Sequence, residues 1–117
     1  MARVAIVGVA GRMGKSLVEA CRQQSGNVQL SVAIEQAACP ALGKDAGELA
    51  GIGPADVMVT DSLEADVENF DVLIDFTRPE ATMAHIELCR QFGRKMVIGT
   101  TGFSDEQKSI INEAAND

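Results

Sequence analysis

A doubly wound parallel α/β sheet is the fold this sequence predicts, and two observations predict it. Residues 72–76 and 96–98 are continuous, mostly apolar runs rich in Val and Ile and bounded by turn residues, the pattern of strands covered on both faces. Stretches of helical period alternate with such runs along the chain, and that alternation implies parallel strands joined by right-handed crossovers. A chain of 117 residues has room for one domain and one core.

Taken in order, residues 4–7 form the first strand, and the apolar start is too short for a signal peptide. A first helix follows over 14–24, with Leu17, Val18 and Cys21 on one face and Lys15, Glu19, Arg22 and Gln23 turned away. Residues 30–34 are the second strand. The Gly- and Ala-rich stretch 38–54 reads as a loop or a short helix around Glu48. A shorter third strand at 57–59 and a short helix lead into the strand at 72–76. The next helix shows a stripe of Ala81, Ala84, Leu88 and Phe92, with Pro79 suited to its first turn and Gly93 to its stop. After the strand at 96–98, Ser104 and Gln107 make a capping box that opens a last helix running towards Asp117.

Composition limits the function classes. The aromatics are four Phe alone, so Val, Ile, Leu, Ala and Met must fill the core. A formal charge of −7 repels nucleic acid and anionic membranes, so neither is an expected partner. No run is long enough to span a bilayer. Cys21, Cys39 and Cys89 are odd in number and widely spaced, which predicts neither a disulfide framework nor a zinc site but free thiols in a reducing cytoplasm. His85, the single histidine, sits mid-helix beside the apolar stripe. It reads as a packed or surface residue, so no catalytic triad and no metal set is expected.

The chemistry concentrates at strand ends. Gly8-Val9-Ala10-Gly11-Arg12-Met13-Gly14 lies between the first strand and the first helix. Gly8 supplies backbone angles that a side chain would oppose. Gly11 leaves no Cβ between backbone and pyrophosphate, and Gly14 lets the helix pack closely on the strand. The N–H groups at the helix start then face the phosphates. The spacing is G-x-x-G-x-x-G, with Val9 where the first glycine of the G-x-G-x-x-G fingerprint would stand. Glu35, about twenty residues on at the end of the second strand, is placed to accept from adenosine ribose hydroxyls. Arg12 offers a fork for a phosphate oxygen, including a ribose 2′-phosphate. This is the pattern of a Rossmann-type domain for NADH or NADPH. Two further strand ends, Asp75-Phe76-Thr77-Arg78-Pro79 and Gly99-Thr100-Thr101-Gly102, would line the same crevice; each taken alone is also compatible with ordinary turn chemistry.

These residues carry a resemblance. The first turn, then Asp45-Ala46-Gly47-Glu48-Leu49-Ala50-Gly51, then Ile74-Asp75-Phe76-Thr77-Arg78-Pro79-Glu80, then Val97-Ile98-Gly99-Thr100-Thr101-Gly102-Phe103 resemble, in the family's order, the N-terminal cofactor-binding domain of bacterial 4-hydroxy-tetrahydrodipicolinate reductases, or dihydrodipicolinate reductases, of the diaminopimelate–lysine pathway. The resemblance implies that Gly8, Val9, Ala10, Gly11, Arg12 and Met13 wrap the pyrophosphate, that Glu35 binds the adenosine ribose, and that Phe76, Thr77, Gly99, Thr100 and Thr101 approach the nicotinamide half. It implies hydride transfer to a cyclic unsaturated dicarboxylate by a homotetramer. Gln36 stands where some members have an Arg for the 2′-phosphate, so dual cofactor use or a lean towards NADH is expected. The His-His-x-x-Lys segment of the family's substrate domain does not occur here. The expectation is therefore a single nucleotide domain over 1–117 that stops before the last strands of its sheet and does not turn over alone. Two other readings share the first turn: a stand-alone nucleotide-sensing module, and the N-terminal half of another two-domain dehydrogenase such as an aspartate-semialdehyde dehydrogenase.

Overall fold

In a computed structural model, which describes residues 2–24, 26–36, 38–100 and 102–114, the chain forms one parallel sheet in the order β3-β2-β1-β4-β5. The elements are β1 (Ala2–Val7), α1 (Arg12–Gln23), β2 (Val28–Ile34), α2 (Ala46–Leu49), β3 (Val59–Thr60), a 3₁₀ helix (Glu64–Asn69), β4 (Val72–Asp75), α3 (Pro79–Phe92), β5 (Lys95–Ile98) and α4 (Asp105–Ala114).

Each β1 side chain explains one layer, because successive residues point to opposite faces. Val4 and Ile6 pack with Val18 and Cys21 of α1 and with Ala46 of α2. Ala5 and Val7 pack on the other face with Leu63, Val67, Phe70 and Cys89. The sheet is thus wound on both sides, as expected. β1 is its centre, bonded to β2 on one edge and β4 on the other. The chain reverses direction across the sheet between β1 and β4, and that switch point is where crevices open in such folds.

Local chemistry sets the element ends. Pro79 occupies the first turn of α3, and Gly93 ends it in the left-handed region at φ 69°. Ser104 and Gln107 cap reciprocally: the Ser104 N–H donates to Gln107 Oε1 (2.8 Å) and the Gln107 N–H to Ser104 Oγ (3.1 Å). Asp45 caps α2, taking the Glu48 N–H, and also takes the N–H groups of Ala55 and Val57. These hydrogen bonds, Ala55 first, outweigh burial and hold its carboxyl below the usual carboxylate range. One side chain so pins the loop that follows α2, and a Cβ on Gly47 would collide with that loop at Gly53 and Ala55.

Four expectations need correction. The third strand begins later than 57–59: Met58 is 64% exposed and bridges Asp45 in antiparallel sense, and β3 holds Val59 and Thr60. The short helix after it is a 3₁₀ helix. In α3 the buried residues are Thr82, Ile86 and Cys89, whereas Ala84 is exposed. Leu88 and Phe92 pack at the edge of the core. The strand at 96–98 is not covered on both faces: Val97 is 53% exposed, because β5 is the outermost strand of the described sheet. The last residues of the final helix, 115–117, lie outside the described residues.

Candidate nucleotide site

A groove of about 530 Å³ opens over the carboxyl ends of the parallel strands. Val7 and Gly8 enter it from β1, Ile34, Glu35 and Gln36 from β2, Asp61 and Leu63 from beyond β3, and Phe76 and Thr77 from β4. Arg78, Ala81 and His85 close it from the start of α3.

The turn after β1 is built by two glycines. Gly8 has φ 81°, a conformation that side chains oppose. A Cβ on Gly14 would meet the Val9 backbone at 2.6–2.7 Å, so only glycine lets α1 sit this close to the turn. The N–H groups of Gly8 and Val9 both donate to the Ile34 carbonyl, at 2.9 and 3.3 Å, and that of Gly11 to the Gly8 carbonyl. These N–H groups hold the turn in shape. The Val9 side chain is buried in the core. Among the described residues, the donors left for a ligand are those of Arg12 and Met13, exposed residues at the head of the helix with no partner one turn earlier. Gly11 provides no side-chain cap, and the first turn carries no acidic residue. Instead Arg12 and Lys15 stand there, both exposed. Cations at a helix N-terminus oppose the helix dipole, at a cost of about 0.3–1 kcal/mol each. An anion seated on the turn reverses that sign.

Glu35 faces this turn. Its Oε2 accepts the Ala10 N–H at 2.9 Å and its Oε1 accepts the Gln36 N–H at 3.1 Å. Gln36 itself is exposed. Asp61 was not singled out from the sequence. It enters the groove because the Glu35 N–H donates to the Thr60 carbonyl at 2.9 Å, which draws the end of β3 against the end of β2.

The β4 side carries a polar network. Asp75 is fully buried. Its Oδ1 accepts the Thr77 N–H (2.9 Å) and hydroxyl (2.6 Å), and its Oδ2 lies 2.7 Å from His85 Nδ1. Burial opposes the Asp75 charge, but the hydrogen bonds from His85 and Thr77 outweigh it and hold the carboxyl below its ordinary range. Thr100 is buried too, taking the Thr82 hydroxyl at 2.8 Å and the Thr77 N–H at 3.1 Å. Its side chain therefore braces the floor rather than lining the groove. Phe76 lies over Gly99, where any Cβ would collide with the ring. Thr101 lies outside the described residues. Burial and the neighbouring Asp75 charge push the Cys89 thiol up to about 11.

The pairing of His85 with Asp75 is not an expectation of the sequence, which places Asp75 at a strand end of the crevice and His85 as a packed or surface residue. His85 is packed, as expected, but it also walls the groove. The available signal was the spacing of Thr82, His85 or Ile86, and Cys89 on one face of α3. Among the described residues, no group of three or more His, Cys, Asp or Glu is placed to hold a metal ion, and no helix is long and apolar enough to cross a membrane.

A parallel sheet wound on both faces, a glycine turn at the head of α1, an acid at the end of β2 and a groove at the switch point define a Rossmann-type domain of the nucleotide-binding class. The chain belongs to the dihydrodipicolinate reductase family: the model for the N-terminal part of these enzymes matches residues 2–117. Among solved structures it is similar to a dipicolinate-bound dihydrodipicolinate reductase from Paenisporosarcina sp. TG-14, at 34% identity and a TM-score of 0.74 over 98% of this chain and 43% of that one. The chain thus spans less than half the length of that relative. Aspartate semialdehyde dehydrogenase II from Vibrio cholerae shares the fold at 16% identity and a TM-score of 0.68, over 86% of this chain and 28% of that one. The WlbA dehydrogenase from Thermus thermophilus, solved with NAD and UDP-GlcNAcA, shares it at 16% identity and a TM-score of 0.68, over 99% of this chain and 38% of that one.

Proposed function

We propose that this chain is the nucleotide half of a dihydrodipicolinate reductase, and that its groove holds NADH or NADPH for hydride transfer to a cyclic unsaturated dicarboxylate. The observation that carries the reading is the uncapped start of α1, with Arg12 and Lys15 on its first turn, following a glycine turn that Glu35 holds through the Ala10 N–H at the edge of the groove. Family membership and the dipicolinate-bound relative support the reaction class. The NAD-bound WlbA dehydrogenase supports the ligand class.

The residues fit such a ligand. The N–H groups of Arg12 and Met13 at the head of α1 suit a pyrophosphate. Glu35, an acceptor only when ionised, suits ribose hydroxyls. Phe76 and Thr77 supply an apolar face and a hydroxyl on the β4 side. When bound, the nicotinamide dinucleotide supplies the hydride. The chain's own task is to orient it: the turn fixes the phosphates, Glu35 fixes the adenosine end, and the β4 and β5 ends carry the nicotinamide half towards the acceptor. Substrate contacts, proton donation and tetramer formation belong to the whole enzyme. Glu35, Asp61 and the uncharged Gln36 together favour NADH over NADPH, while Arg12 keeps some NADPH binding.

Calorimetric titration with NADH and NADPH tests the reading. Saturable binding of both, with selective loss of NADPH in Arg12→Ala, is the expected result. Absence of binding by this chain and by one extended beyond residue 117 would sink it.

A further inference from the structure

His85 is the single histidine of the chain, and its two nitrogens have different surroundings. Nδ1 lies 2.7 Å from Oδ2 of the fully buried Asp75. An ionised carboxylate only accepts, so the ring donates and Nδ1 carries the proton. Oδ1 of the same carboxylate is held by the Thr77 N–H and hydroxyl. Asp75 therefore has no freedom to turn away, and the ring is pinned.

Nε2 makes no hydrogen bond among the described residues. No buried side-chain nitrogen or oxygen among them lacks a partner, so Nε2 reaches solvent. The solvent-filled space that His85 lines is the groove, beside Gly8, Thr77 and Ala81.

The charges around the ring are few. Asp75 stands beneath it from β4, Cys89 follows one turn later on α3, and Arg78 heads the same helix. Glu35 and Asp61 enter from the β2 and β3 side of the groove. A dinucleotide brings two phosphate charges into this space. An imidazolium set between Asp75 and that ligand would offset both anions and offer Nε2–H as a charge-assisted donor. A purely structural pin would need only the Nδ1 bond, and Nε2 would gain nothing from opening on the groove.

We infer that His85, pinned by Asp75, is a ligand-contact residue of the groove: it takes a proton from solvent at Nε2 as the dinucleotide binds and donates a hydrogen bond to an oxygen of the pyrophosphate–ribose segment crossing from the α1 turn to the β4 side. Asp75 acts through His85 and is a positioning residue. The inference rests on the nucleotide reading above.

Because the chain has one histidine, its imidazole NMR signals need no assignment among several. They are followed against pH in the free chain, with saturating NADH and with adenosine, which has neither a phosphate nor the nicotinamide half. NADH is expected to raise the His85 titration midpoint by about one unit, with an affinity about tenfold weaker on the alkaline side than on the acid side. Adenosine is expected to leave the midpoint in place. His85→Gln should flatten the pH dependence of NADH affinity, and Asp75→Asn should remove most of the midpoint shift. If NADH binds and the midpoint does not move, His85 is a structural pin; the inference falls and the nucleotide reading stands. If NADH perturbs no signal at any pH in this chain or in one extended beyond residue 117, both fall. Should either variant fail to fold, the unmutated chain still decides.

Discussion

Glu35 Oε2 accepts the Ala10 N–H at 2.9 Å, so the acid that ends β2 is tied directly to the glycine turn that ends β1. The two parts to which the proposed function gives the adenosine end of the ligand are thus one hydrogen-bonded unit. Glu35→Gln keeps the shape but exchanges a charged acceptor for a neutral one. A hydrogen bond to a charged group contributes about 1.5–3 kcal/mol. NADH affinity should fall by about 10- to 100-fold by calorimetry, with a change in urea midpoint corresponding to less than about 1 kcal/mol. Unchanged affinity would remove Glu35 from the site.

On the proposed function, cofactor choice is set by charge at the same end. Gln36 is exposed and neutral, and Asp61 shares the groove with Glu35. Gln36→Arg should raise NADPH affinity by about tenfold or more through a forked contact to the 2′-phosphate. Asp61→Asn should raise it less, by removing repulsion, and should do so most at low salt. Parallel NADH titrations should move little in both variants.

Two glycines make a matched test of the turn. A methyl on Gly14 would strike the Gly8 carbonyl and the Val9 backbone, whereas one on Gly26 would meet nothing within 4 Å. Gly14→Ala should therefore destabilise the chain by about 1–3 kcal/mol, despite the better helix propensity of alanine. Gly26→Ala should change stability by less than about 0.5 kcal/mol. Chemical denaturation of the pair reads both outcomes, and equal curves would contradict the close approach.

Acid should loosen the β4 side of the site. The Asp75 carboxyl is held below its ordinary range, so the folded state binds its proton less readily than the unfolded chain. The stability this contributes is complete above the unfolded value of about 3.9 and is lost as pH falls through the lower folded value. Asp45 and Asp71 shift in the same direction. Stability measured by urea should drop steeply below about pH 4. Asp75→Asn should be weaker at neutral pH by about 1–3 kcal/mol and should show a shallower acid decline. An equally steep decline in the variant would show that Asp75 takes no part.

What could be read from the sequence was local. Gly8, Gly14, Pro79, Gly93 and the Ser104–Gln107 box each answer a backbone demand set by their immediate neighbours, and the structure places them as their chemistry requires. Glu35 lies beside the turn, as its distance along one strand and one helix implies. The misses are tertiary. Thr82 is buried because Thr100, on another element, supplies its partner, and hydropathy alone prefers Ala84. Val97 belongs to the same kind of β-branched run as the central strands, but its place at the sheet edge leaves it half exposed. Asp61 and His85 reach the groove only once β3 lies against β2 and α3 against β4.

The placing of β1 at the middle of the sheet also has a consequence for biosynthesis. β1 is translated before either of the two strands it pairs with. β2 closes one edge when residue 34 has been made; the other waits for β4, where Asp71 takes the backbone N–H and guanidinium of Arg3 from 68 positions away. At about 5–20 residues per second, that separation corresponds to roughly 3–14 s of translation. Throughout it, the nascent chain carries an apolar strand with an open hydrogen-bonding edge. Depleting the chaperones that shield nascent chains should therefore lower the yield of this protein while leaving the stability of the finished molecules unchanged.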